Sequence, residues 1–325
     1  NNGWLTFART DFYETTNNIS GSGAVRIGSE SLVGTDGQNV TVHGQWTYTG
    51  NTLINRGTLA LAAGSSLPNT AEIYLNAPDG ETAVLDVSAL GSYTLDSGRK
   101  LLGRGNTGIN QVYGNFIAAS GSQLVPGGSN AVNALSFVND LTLSGGGTIQ
   151  VDIRDGITDS IQVFGNLSAA GVTTIEFVSS GPLNTGEYPL VQVSGNFAGN
   201  IGNFTFTGLI SQGTRQTFSL AYNTANNPNS LVLVVGGAPP ANLTWVGDGS
   251  ANVWDQGGAA NWTDGVGPEK FFIGDSVTFD DSGSMTPAVN LVGTLQPANV
   301  TVSASGDYTF SGTGEIQGGA TLTQN

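Results

Sequence analysis

Six aspartates, in two groups that each surround one turn, are the residues of this chain best suited to chemistry. The groups are Asp152, Asp155 and Asp159, and Asp275, Asp280 and Asp281. Paired carboxylates could supply a general acid and base for cleaving a polysaccharide, or oxygen ligands for Ca²⁺. Asp is also a preferred turn-forming residue, so the alternative is that all six are solvated turn residues. We favour that alternative, because a lyase would also need a cation and only Arg154 is near in the sequence.

His43 is the only histidine, and the chain has no cysteine. With one histidine and no cysteine, the chain offers little basis for a Ser-His-Asp triad or for a metal site of several histidines. His43 follows the alternating Val40 and Val42, which predicts a surface residue. We therefore assign no catalytic, cofactor-binding or metal-binding residue, and we expect neither a cofactor nor enzymatic activity.

Three of the five tryptophans are close together in the sequence: Trp245, Trp254 and Trp262. Their faces could stack on the apolar faces of sugars, with Trp254 and Trp262 as the residues to test. Large aromatic side chains also bury much area, so the alternative is a packed core at the start of a structural block. We favour the core.

Charged residues are scarce, and most of them are acidic. The 325 residues include 24 acidic and 9 basic side chains, for a net charge of -15, and 49 glycines. No basic surface is present to neutralise phosphates, which argues against a nucleic-acid partner. No stretch of about 18 apolar residues occurs, so we expect no membrane insertion.

Apolar residues alternate with polar ones at period two along most of the chain, which predicts strands with one buried face. Examples are Val40 and Val42, Leu59 and Leu61, Ile149 and Val151, Val277 and Phe279, and Val300 and Val302. Glycine-rich turns separate these segments, so the fold is predicted to be all-β. A sandwich or barrel competes with a β-solenoid.

Short strands, small aliphatic residues and recurrent Gly and Asn favour the solenoid, with turns of roughly 20 to 25 residues. Asn and Thr could form side-chain ladders between turns. The composition changes at Gly236–Ala241, a Gly- and Pro-rich stretch. We predict one solenoid block over 1–236, a linker over 237–241 and the start of a second block over 242–325.

The segment GQWTYTGNTLINRGTLALAAGSSL (44–67) resembles the autotransporter-associated β-strand repeat, although Asn51 replaces its usual second glycine. NLTWVGDGSANVWDQGGAANWTDG (242–265) with FFIGDSVTFDD (271–281) resembles the segment that opens such blocks in large bacterial surface proteins. The resemblance implies a right-handed parallel β-helix displayed outside a bacterial cell. It implies no catalytic residue, because the repeat is a structural one.

The two ends of the chain resemble two halves of one repeat. Joined tail to head, ATLTQN (320–325) and NNGWLTF (1–7) would continue without a break. We therefore predict an extracellular fibre or stalk on the bacterial surface, in which units stack head to tail on copies of themselves. An adhesin that binds glycans or neighbouring cells is the second hypothesis, and a polysaccharide-degrading β-helix enzyme is the third.

Overall fold

The computed structural model of the chain describes residues 3–9, 11–28, 39–68, 70–104, 108–127, 132–154, 156–179, 183–209, 213–283 and 285–324. The fold is all-β, and its stacked parallel sheets form a β-solenoid of about 11 turns. The prediction of a solenoid rather than a sandwich is confirmed. The right-handed sense of the coil stays a prediction.

The chain divides into two compact units. The first comprises 1–181, 187–209 and 219–234, and the second comprises 182–186, 210–218 and 235–325. The main division therefore falls near the Gly- and Pro-rich stretch, but two short segments upstream of it also belong to the second unit. Nothing in the local composition of those segments signals this.

Three sheets form the faces of the first unit. The first sheet holds, in order, Trp4–Phe7, Ala24–Ile27, Thr52–Ile54, Glu72–Asn76, Lys100–Arg104, Gln123–Val125, Thr148–Arg154, Thr173–Ser179 and Phe204–Thr207, with Ile157–Thr158 beside Thr148–Arg154. The second holds Tyr13–Thr15, Asn39–Val42, Gly57–Leu61, Thr82–Asp86, Ile109–Tyr113, Ala134–Phe137, Ser160–Val163, Gly186–Val193, Ser230–Gly237 and Gln216–Tyr222. The third holds Ser92–Leu95, Asn115–Ala118, Leu141–Leu143, Leu167–Ala169 and Phe197–Ala198. Short 3₁₀ helices span Ser88–Leu90 and Ile201–Asn203.

Inward residues of successive turns stack directly on one another, because neighbouring turns pair in parallel register. One column of the second sheet comprises Tyr13, Val40, Leu59, Leu85, Val112, Phe137, Val163 and Val193. From Val40 onward every member is buried. The alternating pattern therefore places one aliphatic or aromatic side chain per turn on the same line.

Turn length varies more than predicted. Paired residues of the first sheet lie 20 residues apart at Leu5 and Val25, and 31 apart at Ile175 and Phe206. In the longer turn, strands Thr173–Ser179 and Gly186–Val193 have seven and eight residues, against four and three for Trp4–Phe7 and Tyr13–Thr15 in the shorter one. The expected range of 20 to 25 was too narrow for this reason.

One corner of the first unit is built from stacked glycines. The N–H of Gly98 donates to the carbonyl oxygen of Gly121, whose own N–H donates to that of Gly146, at 2.9 and 2.8 Å. All three residues have φ between 70° and 77°. Only glycine adopts this left-handed conformation without strain, so the corner requires it on each turn.

Another corner carries a ladder of Asn and Asp side chains, whereas the predicted ladder was one of Asn and Thr. The Oδ1 atom of Asp140 accepts the backbone N–H of Asn166 at 2.7 Å, and the Oδ1 atom of Asn166 accepts that of Asn196 at 2.9 Å. Each side chain thereby satisfies a corner N–H one turn further along.

The second unit repeats the three-faced plan over fewer turns. Its largest sheet holds Pro268–Glu269, Trp262–Thr263, Asn242–Trp245, Ser276–Asp280, Asn299–Ser303 and Thr321–Gln324. The other faces hold Val253–Trp254, Ala288–Leu291 and Thr309–Gly312, and Thr294–Leu295 and Glu315–Ile316. A 3₁₀ helix spans Asp281–Gly283.

An antiparallel hairpin interrupts the coil at the start of this unit. Trp262–Thr263 pairs antiparallel with Asn242–Trp245, and Pro268–Glu269 pairs antiparallel with Trp262–Thr263. The turn between them is fixed by Asp264, whose Oδ1 atom accepts the N–H of Val266 at 2.8 Å. The hairpin covers one edge of the sheet, and a proline in its outer strand removes a free N–H donor.

Because inward residues stack and outward residues do not, substituting two neighbours on one strand should change the free energy of unfolding by very different amounts. Leu124, which is 1% exposed, faces inward between Leu101 and Ile149. We expect Leu124→Ala to lower the free energy of unfolding by ~2–5 kcal/mol, because it leaves a cavity. The outward Gln123→Ala is the matched control and should change it by less than ~0.5 kcal/mol. Urea denaturation followed by circular dichroism measures both, and equal losses would contradict the inward stacking.

Candidate functional site

Asp159 is held in a buried clamp on the first unit. Strand Thr148–Arg154 turns back into Ile157–Thr158, an antiparallel pairing that brings Asp159 beside Asp152. The Oδ2 atom of Asp159 accepts the backbone N–H of Asp152 at 3.0 Å, and its Oδ1 atom accepts that of Asn133 at 2.9 Å. The residue is only 2% exposed.

Gly127 leaves the space that Asp159 occupies. A Cβ atom at position 127 would stand 2.0 Å from the Oδ1 atom of Asp159, so no larger residue fits there. Asp159 thus links Asn133, which is 26 residues away along the chain, with Asp152. Its role in the fold is to tie neighbouring turns together through their backbones.

A surface pocket of about 280 Å³ lies over this clamp on the outer face of the first sheet. Its lining combines an aliphatic floor with charged and amide side chains. The lining residues are Glu72, Lys100, Leu102, Arg104, Val125, Gly127, Gln150, Asp152, Asp159 and Val178. The pocket can therefore contact both the apolar and the hydroxyl-bearing parts of a polar ligand.

The cations of the pocket are positioned by neighbouring side chains. The Lys100 ammonium lies 3.9 Å from Glu72, and the Arg104 guanidinium lies 4.5 Å from the centre of the Tyr74 ring. The lining residue Asp152 accepts a hydrogen bond from the Nη2 atom of Arg154 at 3.1 Å. Both charge signs are thus present in one pocket.

Burial raises the pKa of Asp159 to about 6. The backbone N–H donors of Asn133 and Asp152 and the charge of Arg154 act in the opposite direction, while the carboxylate of Asp152 adds to the rise. The Asp159 carboxyl group can therefore bind or release a proton near neutral pH.

The prediction that Asp152 and Asp159 are solvated turn residues is wrong. They are 7% and 2% exposed, because the hairpin folds back over them and their partners come from other turns. Asp155 lies outside the described residues.

The second group of aspartates divides into one buried and two turn residues. Asp275 is fully buried, so its prediction as a solvated residue is also wrong. Asp280 accepts the N–H of Ser282 at 2.9 Å, and Asp281 accepts that of Ser305 at 2.7 Å. The bond from Ser282, two residues further on, is of the kind expected for a turn-forming aspartate, whereas the bond from Ser305 joins Asp281 to a segment 24 residues away.

Asp275 and Arg215 form the polar centre of the second unit. The Nε atom of Arg215 donates to Asp275 at 2.9 Å, and its Nη1 atom donates to Glu269 at 3.0 Å. Asp275 also accepts the backbone N–H groups of Ala241 and Phe272 at 2.7 and 2.8 Å. A buried pair with all these partners stabilises the loops that it joins.

Neither Arg215 nor a second buried arginine, Arg99, was predicted from the sequence. The guanidinium of Arg99 donates to the carbonyl oxygens of Thr70 and Leu67, both at 2.8 Å, across one turn of the first unit. Both arginines bind groups remote in sequence. The only sequence feature that points to these two arginines is that basic residues are rare in this chain, nine in 325.

Trp245, Trp254 and Trp262 are all fully buried in the core of the second unit. The rings of Trp245 and Trp262 are 5.0 Å apart, and those of Trp254 and Trp262 are 5.2 Å apart, in edge-to-face contact. The predicted core packing is confirmed, and these faces are not accessible to a sugar.

His43 has a half-exposed side chain, as predicted, and its Nε2 atom lies 3.8 Å from Glu14. Within the described residues no group of three or more His, Cys, Asp or Glu is placed to hold a metal ion. The described part of the chain also has no helix with the length and apolar character needed to cross a membrane.

The terminal turns carry the other notable surface. Leu322 in the last strand is 71% exposed, whereas Val300, its partner one turn earlier, is 4% exposed. Phe310 and Ile316 on the other two faces are 37% and 40% exposed. Inward-facing residues of the coil are therefore uncovered at this end.

Comparison with known proteins found no matching family model and no matching curated protein. The resemblance to the autotransporter-associated repeat rests on the residues quoted above.

The raised pKa of Asp159 predicts a pH-dependent stability. Between its ordinary pKa of 3.8 and about 6, the folded state holds more protons than the unfolded state. Lowering the pH from 7 to 4 should therefore stabilise the wild type relative to Asp159→Asn, by on the order of 3 kcal/mol in total. Urea titrations at several pH values measure this difference.

Asp281→Asn, at an exposed turn, is the control for removing one carboxylate. The raised pKa of Asp159 would be contradicted if Asp281→Asn lost the same pH-dependent stability. It would also be contradicted if the difference in unfolding free energy between wild type and Asp159→Asn were the same at every pH.

Proposed function

We propose that this protein is a structural one: an extracellular fibre or stalk of a bacterial surface, built from solenoid units stacked head to tail. The observation that carries the proposal is the uncovered interior of the terminal turn, where Leu322 is 71% exposed. A parallel strand there also leaves backbone N–H and C=O groups ready to pair with another strand.

The contrast within the second unit supports this interpretation. At its first turn, the hairpin of Trp262–Thr263 and Pro268–Glu269 covers the edge of Asn242–Trp245. Among the described residues, nothing comparable covers strand Thr321–Gln324. One edge is thus protected in the way that solenoid caps are, while the other resembles an interior turn.

The first turn of the first unit has a similar surface. Strand Trp4–Phe7 is the terminal strand of the first sheet, and its inward Leu5 is 46% exposed. Stacking two such ends buries apolar residues and continues the backbone ladder, and a contact of this head-to-tail kind does not close on itself. The placement outside a bacterial cell is supported by the repeat resemblance and by the absence of cysteine.

The proposal predicts concentration-dependent, end-to-end association. Leu5→Asp or Leu322→Asp should weaken it at least ~10-fold, the equivalent of about 1.4 kcal/mol, because each puts a carboxylate into an apolar contact. Sedimentation velocity measures the association, and electron microscopy shows whether the products are linear.

Ile157→Asp is the matched control, since Ile157 is 62% exposed on the side of the coil rather than at its end. A wild-type protein that remains monomeric at high concentration, or a control variant as defective as Leu322→Asp, would refute head-to-tail assembly.

Glycan binding is the second candidate function, and the pocket over Asp159 favours it. Its polar groups come from successive turns, which repeat every ~4.8 Å along the coil, over a floor of Leu102 and Val125. Such a row suits an extended polymer with regularly spaced hydroxyl groups. In this interpretation the carboxylates bind, and no catalytic residue is assigned.

A glycan array tests this alternative. Any glycan bound by the wild type should lose at least ~10-fold in affinity with Arg104→Ala, which removes one wall of the pocket. Arg9→Ala, at an exposed pair with Asp11, is the control. Binding that survives Arg104→Ala would place the glycan elsewhere, and turnover of the glycan would revive the enzyme hypothesis.

A further inference from the structure

The outer face of the largest sheet of the second unit carries one threonine per turn in a single row. Thr244 pairs with Thr278, and Thr301 pairs with Thr278 on one side and with Thr323 on the other. Side chains alternate between the two faces of a strand, so these threonines lie on the face opposite the core. The inward residues beside the first three threonines are buried: Leu243, Trp245, Val277, Phe279 and Val300.

The hydroxyl groups of this row are available to a ligand. Within the part of the chain that the structure describes, no protein hydrogen bond involves the side chains of Thr244, Thr278, Thr301 and Thr323. Thr323 is exposed and the other three are partly exposed. A β-branched side chain has few χ1 rotamers, so each hydroxyl group is held in place by its strand. Each can therefore donate one hydrogen bond and accept others without breaking a bond within the protein.

A second polar row runs beside the threonines, two residues earlier on each strand. Its members are also paired in register: Asn242, Ser276, Asn299 and Thr321. None of the side chains in the two rows is charged, although the chain has 24 acidic residues. The two rows are thus complementary in charge to a neutral surface that forms hydrogen bonds, and not to an ion.

The spacing of the threonine row matches that of water molecules in ice. Pairing of strands repeats the row every ~4.8 Å. Water in ice is bonded tetrahedrally with oxygen atoms ~2.8 Å apart, so two oxygens that share one neighbour lie ~4.5 Å apart. The difference is ~0.3 Å per turn and reaches only ~0.9 Å from Thr244 to Thr323. All four hydroxyl groups can therefore stay in step with one row of ice oxygens.

The first unit has a similar row that differs in two respects. Thr148, Thr174 and Thr205 are paired in register on its first sheet, so this row has three threonines. Glu176 lies in the neighbouring row, two residues after Thr174. A charged carboxylate keeps its own hydration shell, which does not follow the ice lattice. This row is therefore a comparison within the same chain.

We propose that the threonine row of the second unit binds ice, with each hydroxyl group in the place of one lattice water. The row is preorganised for this ligand, because the backbone fixes its spacing before binding. Binding uses the outer face of one sheet and does not depend on the proposed head-to-tail assembly.

Slow growth of an ice crystal in a solution of the protein tests the proposal, because an ice-binding protein enters the crystal while other solutes stay in the liquid. We expect Thr278→Lys to lower the ratio of protein in ice to protein in liquid at least ~10-fold. The substitution puts a strongly hydrated ammonium group in the middle of the row. Thr301→Lys should have the same effect. Thr174→Lys, in the middle of the first unit's row, is the matched control and should enter the ice like the wild type.

Circular dichroism establishes that each variant is folded, and Thr301→Lys takes the place of Thr278→Lys if that variant does not fold. Exclusion of the wild type from ice would overturn the proposal, including the case in which it binds a crystalline neutral polysaccharide instead. Equal incorporation of the wild type and the folded variants of the row would overturn it as well. A loss in Thr174→Lys as large as that in Thr278→Lys would also do so.

Discussion

The fold depends on backbone hydrogen bonds between one turn and the next. Most strands have only two to five residues, too few to be stable alone, so each exists because a parallel neighbour pairs with it on either side. The same register stacks the inward residues, such as Leu59 on Val40 and under Leu85. Hydrogen bonding and apolar packing therefore cannot be separated: a turn that loses its neighbour loses both.

The need for a paired neighbour matters most at the edge strands of a sheet, where the backbone hydrogen bonds between turns end. The hairpin around Trp262 shows one solution, in which two antiparallel strands cover an edge and a proline lies in the outer one. Strand Thr321–Gln324 shows another situation, because its side chains are exposed while its partner Val300 is buried. The two edges of this sheet therefore differ: the hairpin pairs with one of them, and among the described residues no strand pairs with the other.

Period-two alternation and glycine spacing were enough to predict the fold class, since both follow from short-range geometry. Val40 and Val42, for example, lie inward on a strand as expected. The site could not be predicted in the same way. Asp159 and Asp281 both follow turn-like sequence and both accept a backbone N–H from a neighbouring turn, yet Asp159 is 2% exposed and Asp281 is exposed. Burial of a polar residue here depends on partners some 25 residues away, in corners whose lengths vary.

The distribution of cations connects the stability of the fold with its surface charge. Of the nine basic residues, Arg56, Arg99 and Arg215 have side chains at most 12% exposed, and they hold loops and corners together. Asp152, Asp159 and Asp275 are buried as well, so the buried charges cancel and the acidic excess of the chain lies among its other residues. Like charge on the sides of the coil opposes lateral contact between copies. The inward positions of the terminal turns, which include Leu5, Phe310 and Leu322, carry no such charge, so the proposed head-to-tail contact avoids the repulsion that opposes a lateral one.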